Sequence, residues 1–146
     1  MIDLVLAENL PRARGIAEVS CALRLKNFRQ PKSAGEAVSL ARMRGVLLYS
    51  PSYEFDGGVF SDLKKFGGAL VFSFADVLAE TGFRRAIVIS KIRLAFSSCR
   101  KAGCGFVFCT LAKSAGQIRN AHEIGAFMAV VGLNNHEIEF AKECAE

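Results

Sequence analysis

Short apolar runs alternate along this chain with longer stretches in which apolar residues recur every three or four positions. The first pattern predicts strands, the second helices with one buried face. Strands are expected over residues 2–6, 16–23, 46–49, 69–72 and 105–109. A basic turn containing Pro11 separates the first two, and residues 26–32 and 50–58 read as polar loops. Helices are expected from Ser33 to about Arg44, over 59–66, briefly after Ser73, over 83–102, from Ser114 to Val131, and from Asn134 or Asn135 toward the C-terminus. Ser33 with Glu36, Ser73 with Asp76 and Ser114 with Gln117 have the spacing at which two side chains satisfy free backbone donors of a first turn. Gly45, Gly67 with Gly68, Gly82 and Gly132 are placed to end helices in the left-handed conformation.

Strands separated by helices imply parallel pairing, because parallel neighbours need a crossover connection. The chain is therefore read as α/β, a single domain over residues 1–146 with about five parallel strands. In the longest helix Val88, Ile92, Ala95, Cys99 and Ala102 recur at steps of four and three and form the buried stripe. Ile87 and Leu94 fall outside that stripe, beside Lys91 and Lys101. They either pack under a neighbouring helix or meet a partner chain.

Charge changes the picture between residues 81 and 119. That segment holds eight bases (Arg84, Arg85, Lys91, Arg93, Arg100, Lys101, Lys113 and Arg119) and no acid. The rest of the chain carries eleven bases and fourteen acids, so the net +5 is concentrated in one structured stretch. Uncompensated positive charge in one place is the footprint of a nucleic-acid partner.

Other chemistry is sparse. Cys21, Cys99, Cys104, Cys109 and Cys144 form no C-x-x-C pair and match no common zinc spacing, so they read as buried structural thiols before metal ligands. Parallel α/β enzymes place reactive groups at the C-terminal ends of strands. Here those positions hold Ala7-Glu8-Asn9, Ser50-Pro51-Ser52, Ser73 and Thr110 to Lys113. His122 and His136 lie beyond the last strand, Ser97 and Ser98 have no histidine nearby, and the glycines form no phosphate-binding fingerprint. No catalytic residue, metal or cofactor is assigned to this chain. Phe72, Phe74, Phe106 and Phe108 read as core, which leaves phosphates and nucleic-acid shape to be bound rather than stacked bases. No apolar run reaches the roughly 20 residues of a membrane span. Asp3 stands where a secretion signal carries positive charge, so a soluble cytoplasmic protein without a membrane partner is expected.

From about Asp56 onward, local patterns follow the order of one family. Asp56-Gly57-Gly58 opens a helix, and Gly68-Ala69-Leu70-Val71-Phe72-Ser73-Phe74-Ala75-Asp76-Val77-Leu78 gives a strand and a short helix. Arg84-Arg85-Ala86 and Lys91-Ile92-Arg93 begin a long basic helix, which ends at Cys99-Arg100-Lys101-Ala102-Gly103 before a strand. Gln117-Ile118-Arg119-Asn120-Ala121-His122-Glu123-Ile124 then leads to a turn at Gly132-Leu133. In this order the chain resembles the RNase P protein component 3 family, the thirty-kilodalton subunit of archaeal and eukaryotic RNase P. Ala121 stands where the family has proline, the loop after the last strand keeps only Thr110 clearly, and residues 1–55 match weakly.

The resemblance implies parallel β/α units forming a TIM-like barrel, shortened or incomplete because such barrels usually take about 200 residues or more. It implies a non-catalytic subunit supporting an RNA that removes the 5′ leader from precursor tRNA, with Mg²⁺ held by the RNA. The implied partners are RNase P RNA, precursor tRNA indirectly, and other RNase P proteins, above all a small ferredoxin-like one. The eight bases are then the RNA-binding candidates, and Ile87 with Leu94 the protein-interface candidates. The expected location is the cytoplasm, or the nucleus or nucleolus in a eukaryote. Two other readings stand beside this one: a divergent metal-dependent barrel hydrolase, and an RNA-binding scaffold outside RNase P.

Overall fold

The computed structural model describes residues 1–143 apart from Asn9 and Ala17, and not the side chains of Ile2 and Glu143; Asn9 and Cys144, named above, lie outside the described residues. Six strands and six helices run in the order β1 (Ile2–Val5), β2 (Glu18–Cys21), β3 (Phe28–Arg29), α1 (Ala34–Ala41), β4 (Leu47–Leu48), α2 (Gly57–Phe66), β5 (Ala69–Ser73), α3 (Phe74–Leu78), α4 (Gly82–Ala102), β6 (Gly105–Cys109), α5 (Ala121–Val131) and α6 (Asn135–Glu143). All pairing is parallel, β1 with β2 in one sheet and β3–β4–β5–β6 in the other. The chain is α/β, as its pattern predicts. The sheets approach each other where the chain leaves β6. Leu111 N–H donates to the Leu4 carbonyl at 2.8 Å, and the Leu6 and Ala7 N–H groups donate to the Ala112 carbonyl at 2.9 and 3.2 Å. Among the described residues no strand pairing joins β2 to β3, and no closed barrel forms.

Several boundaries differ from expectation for local reasons. The described residues form six strands rather than five, because Phe28–Arg29, inside the segment read as a loop, pairs with Leu47–Leu48. The strand expected over 16–23 is cut short when the chain turns into a 3₁₀ helix at Ala22–Arg24. Helix α1 stops at Ala41, before the left-handed Gly45. Gly82 does not end α3, which stops at Leu78; it is the first residue of α4, with φ 51°. The cap expected at Ser114 makes no side-chain bond, and only a 3₁₀ turn, Ala115–Gln117, follows it. Helix α5 starts later, at a capping box formed by Asn120 and Glu123.

The core lies between the strands and the helices. Leu48, Leu70, Val71, Phe72, Phe108 and Cys109 are buried from the strands, and Ile92, Ala95, Phe96 and Cys99 from α4. Phe72 stacks on Phe108 at 4.8 Å between ring centroids, Phe96 stands edge-on to both, and Phe74 stacks on Phe127. Cys99 and Cys104, both buried, bring their sulfurs within 2.6 Å across the end of α4. Cys109 is buried as well, and Cys21 only half-buried. No helix among the described residues is long and apolar enough to cross a membrane.

Candidate functional site

Arg85, Lys91, Arg100 and Arg119 are held by their own chain. Arg85 Nε donates to the Val77 and Glu80 carbonyls at 3.1 and 2.7 Å, tying α4 to the end of α3. Lys91 Nζ lies 2.8 Å from Glu54 Oε1. Arg100 grips both Glu137 oxygens at 2.8 and 2.6 Å, donates to the Gly132 carbonyl, and lies 4.7 Å above the Phe96 ring. Arg119 donates to the Gly116 and Ile118 carbonyls at 2.9 and 2.7 Å, with Glu123 Oε1 3.9 Å from its Nε. It precedes the Asn120 cap and so lies outside α5, where the first turn was expected to carry it. These four are structural pairs first.

Arg84, Arg93 and Lys101 are different. All three are exposed along α4 and, among the described residues, make no side-chain hydrogen bond or ion pair. Between them runs an apolar stripe. Phe83 is 81% exposed, Ile87 40% and Leu94 71%, and at 100° per residue the three fall within one narrow sector of the helix, opposite Ile92 and Cys99. Ile87 and Leu94 therefore lie in the open, not under a neighbouring helix. The sequence reading overlooked Phe83, whose place one turn before Ile87 was visible in the spacing.

Lys113 belongs to a second place. It lines a cleft of about 360 Å³ with Leu6, Leu23, Gln30, Tyr49, Pro51 and Asp76. These residues follow the C-terminal ends of β1, β2, β3, β4, β5 and β6, where parallel α/β folds gather their ligands. A chain of hydrogen bonds runs beneath it. Asp3, 1% exposed, accepts from Thr110 N–H at 2.7 Å and from Thr110 Oγ1 at 2.6 Å. Ser73 Oγ donates to the Thr110 carbonyl, and Ser73 N–H donates to the Tyr53 hydroxyl at 3.0 Å. Tyr53 in turn donates to Asp76 Oδ2 at 2.6 Å, and Tyr49 donates to the same carboxylate at 2.9 Å.

Each member is tuned by its surroundings. Burial raises the pKa of Asp3 against the hydrogen bonds from Thr110. Burial also raises Asp76, opposed by the two tyrosine hydroxyls and by the Lys113 charge. Tyr49 and Tyr53 are pushed far up by burial and by the Asp76 carboxylate, so both remain hydroxyl donors. Two non-glycine residues beside the network adopt left-handed backbone, Tyr53 at φ 52° and Leu111 at φ 45°. Such conformations cost roughly 1–3 kcal/mol each and persist where the surroundings impose them, often at functional positions. Among the described residues no three His, Cys, Asp or Glu side chains converge to hold a metal ion.

The sequence reading named Ser73, Thr110 and Lys113 as strand-end groups but missed Asp3, Tyr49, Tyr53 and Asp76 as their partners. Comparison with protein-family models finds no match, and neither does comparison with curated proteins.

Proposed function

We propose that this chain is a non-catalytic protein subunit of the RNase P ribonucleoprotein, built as a shortened TIM-like barrel that supports the catalytic RNA in 5′-leader removal. The observation that carries the reading is the outer face of α4, where Arg84, Arg93 and Lys101 hold no partner and flank the exposed Phe83, Ile87 and Leu94. Unpaired bases suit phosphates, and an apolar stripe among them suits a protein neighbour lying against the same RNA. The parallel β/α units, with β1 running beside the exit of β6, support the barrel reading. Of the eight bases, these three with Lys113 are the ones free to reach RNA. In this reading the Mg²⁺ that serves cleavage is held by the RNA. The protein works where that RNA works, in the cytoplasm or in the nucleus and nucleolus of a eukaryote.

The test is binding to RNase P RNA over a salt series. Replacing Arg84, Arg93 and Lys101 together by alanine should lower the slope of log affinity against log salt by about two to three units, at roughly 0.7–0.9 per phosphate contact. Sequencing RNA that copurifies with the chain checks the partner's identity. An unchanged slope, or copurified RNA other than RNase P RNA, overturns the proposal.

A further inference from the structure

The geometry points to the strand-end cleft as a binding site for the ribose-phosphate of a single ribonucleotide, a site that deepens the RNA-subunit reading and rests on it for the source of the ligand. The cleft offers three kinds of group at once. Lys113 is exposed, lines the cleft and, among the described residues, makes no side-chain hydrogen bond or ion pair, leaving a point charge on a flexible stem for a phosphate. Asp76 is half-buried and held by Tyr49 and Tyr53, and among the described residues Oδ1 accepts only the Tyr49 hydroxyl. A carboxylate oxygen has two acceptor directions, so Oδ1 keeps one for a ribose hydroxyl. Gln30 presents an amide donor and acceptor of the kind that reads a base edge, and Leu6, Leu23 and Pro51 supply an apolar wall.

The remaining chemistry fits the same ligand. At about 360 Å³ the cleft is near the lower end of small-molecule sites and takes one nucleotide rather than a strand. Asp76 already receives tyrosine hydroxyls and faces the Lys113 charge, so neutral O–H donors suit it without a second cation. The hydroxyl contact would distinguish RNA from DNA. Tyr53, beneath the cleft, donates to Asp76 Oδ2 at 2.6 Å and so holds the carboxylate in place before any ligand arrives.

The experiment titrates the full chain with adenosine 5′-monophosphate, its 2′-deoxy and 2′,3′-dideoxy forms, and a five-nucleotide single-stranded oligoribonucleotide, read by amide chemical shifts. Adenosine monophosphate should move the resonances of Gln30, Tyr49, Asp76 and Lys113, with a Kd of about 1 mM or tighter. Lys113→Ala should weaken it about tenfold, and loss of both ribose hydroxyls should cost about tenfold more. Should Asp76→Asn fail to fold, the dideoxy comparison on the wild type reads the same contact. Tighter binding of the oligoribonucleotide at the same resonances makes RNA the source; binding of the mononucleotide alone makes it a free nucleotide, and both uphold the ribose-phosphate site. No shift in the cleft at millimolar ligand, or equal binding of the ribo and dideoxy forms, overturns it. The α4 triple variant separates the two proposals, because it should bind RNase P RNA with a lowered salt slope and keep adenosine monophosphate unchanged.

Discussion

Asp3 is almost fully removed from water, and burial raises its pKa above the ordinary 3.8 despite two hydrogen bonds from Thr110. A raised folded-state value means that the folded chain holds a proton the unfolded chain has released. The stabilising contribution is therefore complete below 3.8 and is lost as pH rises through the folded value. Asp3→Asn keeps an oxygen for Thr110 N–H and an amide to donate to the Thr110 hydroxyl, and it has no such titration. In urea unfolding, the stability of wild type relative to Asp3→Asn should fall as pH rises above 3.8, since other carboxylates cancel in the comparison. A difference that stays flat over that range would show the carboxylate to be solvated. Tyr53 joins the other half of the network. Tyr53→Phe removes the acceptor for the buried Ser73 N–H and a donor to Asp76, so a loss of about 1–3 kcal/mol is expected in the same measurement.

At the scale of elements, β5 and β6 approach as closely as their glycines permit. A Cβ on Gly105 would lie 2.9 Å from the Gly68 carbonyl and 3.1 Å from the Ala69 Cβ, so Gly105→Ala must separate the two strands. Overpacking of this kind costs about 1–3 kcal/mol. Gly116→Ala, with nothing within 4 Å, should stay within about 0.5 kcal/mol of wild type under the same denaturant titration. Equal stability of the two variants would mean that the strands part freely. Both β5 and β6 were legible in the sequence because they are continuous apolar runs, and α4 because its buried stripe recurs at helical spacing. The Ser33 and Ser73 bonds to the Glu36 and Asp76 N–H groups were legible because those partners are three residues away. Among the described residues the expected return bonds do not form: Glu36 accepts from Lys32 N–H, and Asp76 from Tyr49 and Tyr53. What escaped depends on distant residues. Nothing near Phe28–Arg29 in sequence announces the strand that Leu47–Leu48 pairs with, and Asp3 meets Thr110 across 107 positions. Likewise Arg100 looked free until α6 brought Glu137 beneath it.

For the whole molecule, those folded-in partners redistribute the charge. The basic block is uncompensated along the sequence, yet Glu54 and Glu137 come from outside it to pair with Lys91 and Arg100. The Lys91 bond and charge lower the Glu54 pKa; burial opposes the lowering of Glu137 by the Asn134 N–H and by Arg100. Within that block, among the described residues, the unpaired positive charge is thus narrowed to Arg84, Arg93 and Lys101 around an apolar stripe on α4, with Lys113 apart at the cleft. Phe83 and Leu94 contribute little to the fold, because most of their surface stays in water in the isolated chain. Phe83→Asp with Leu94→Asp should therefore change folding stability by no more than about 0.5 kcal/mol. The same pair places two carboxylates in any interface formed by the stripe, where an uncompensated charge is strongly unfavourable. On the proposed RNase P reading, reconstitution with a small ferredoxin-like subunit should then fail, while circular dichroism and thermal unfolding match the wild type. Assembly at unchanged affinity would remove the stripe from the proposed interface.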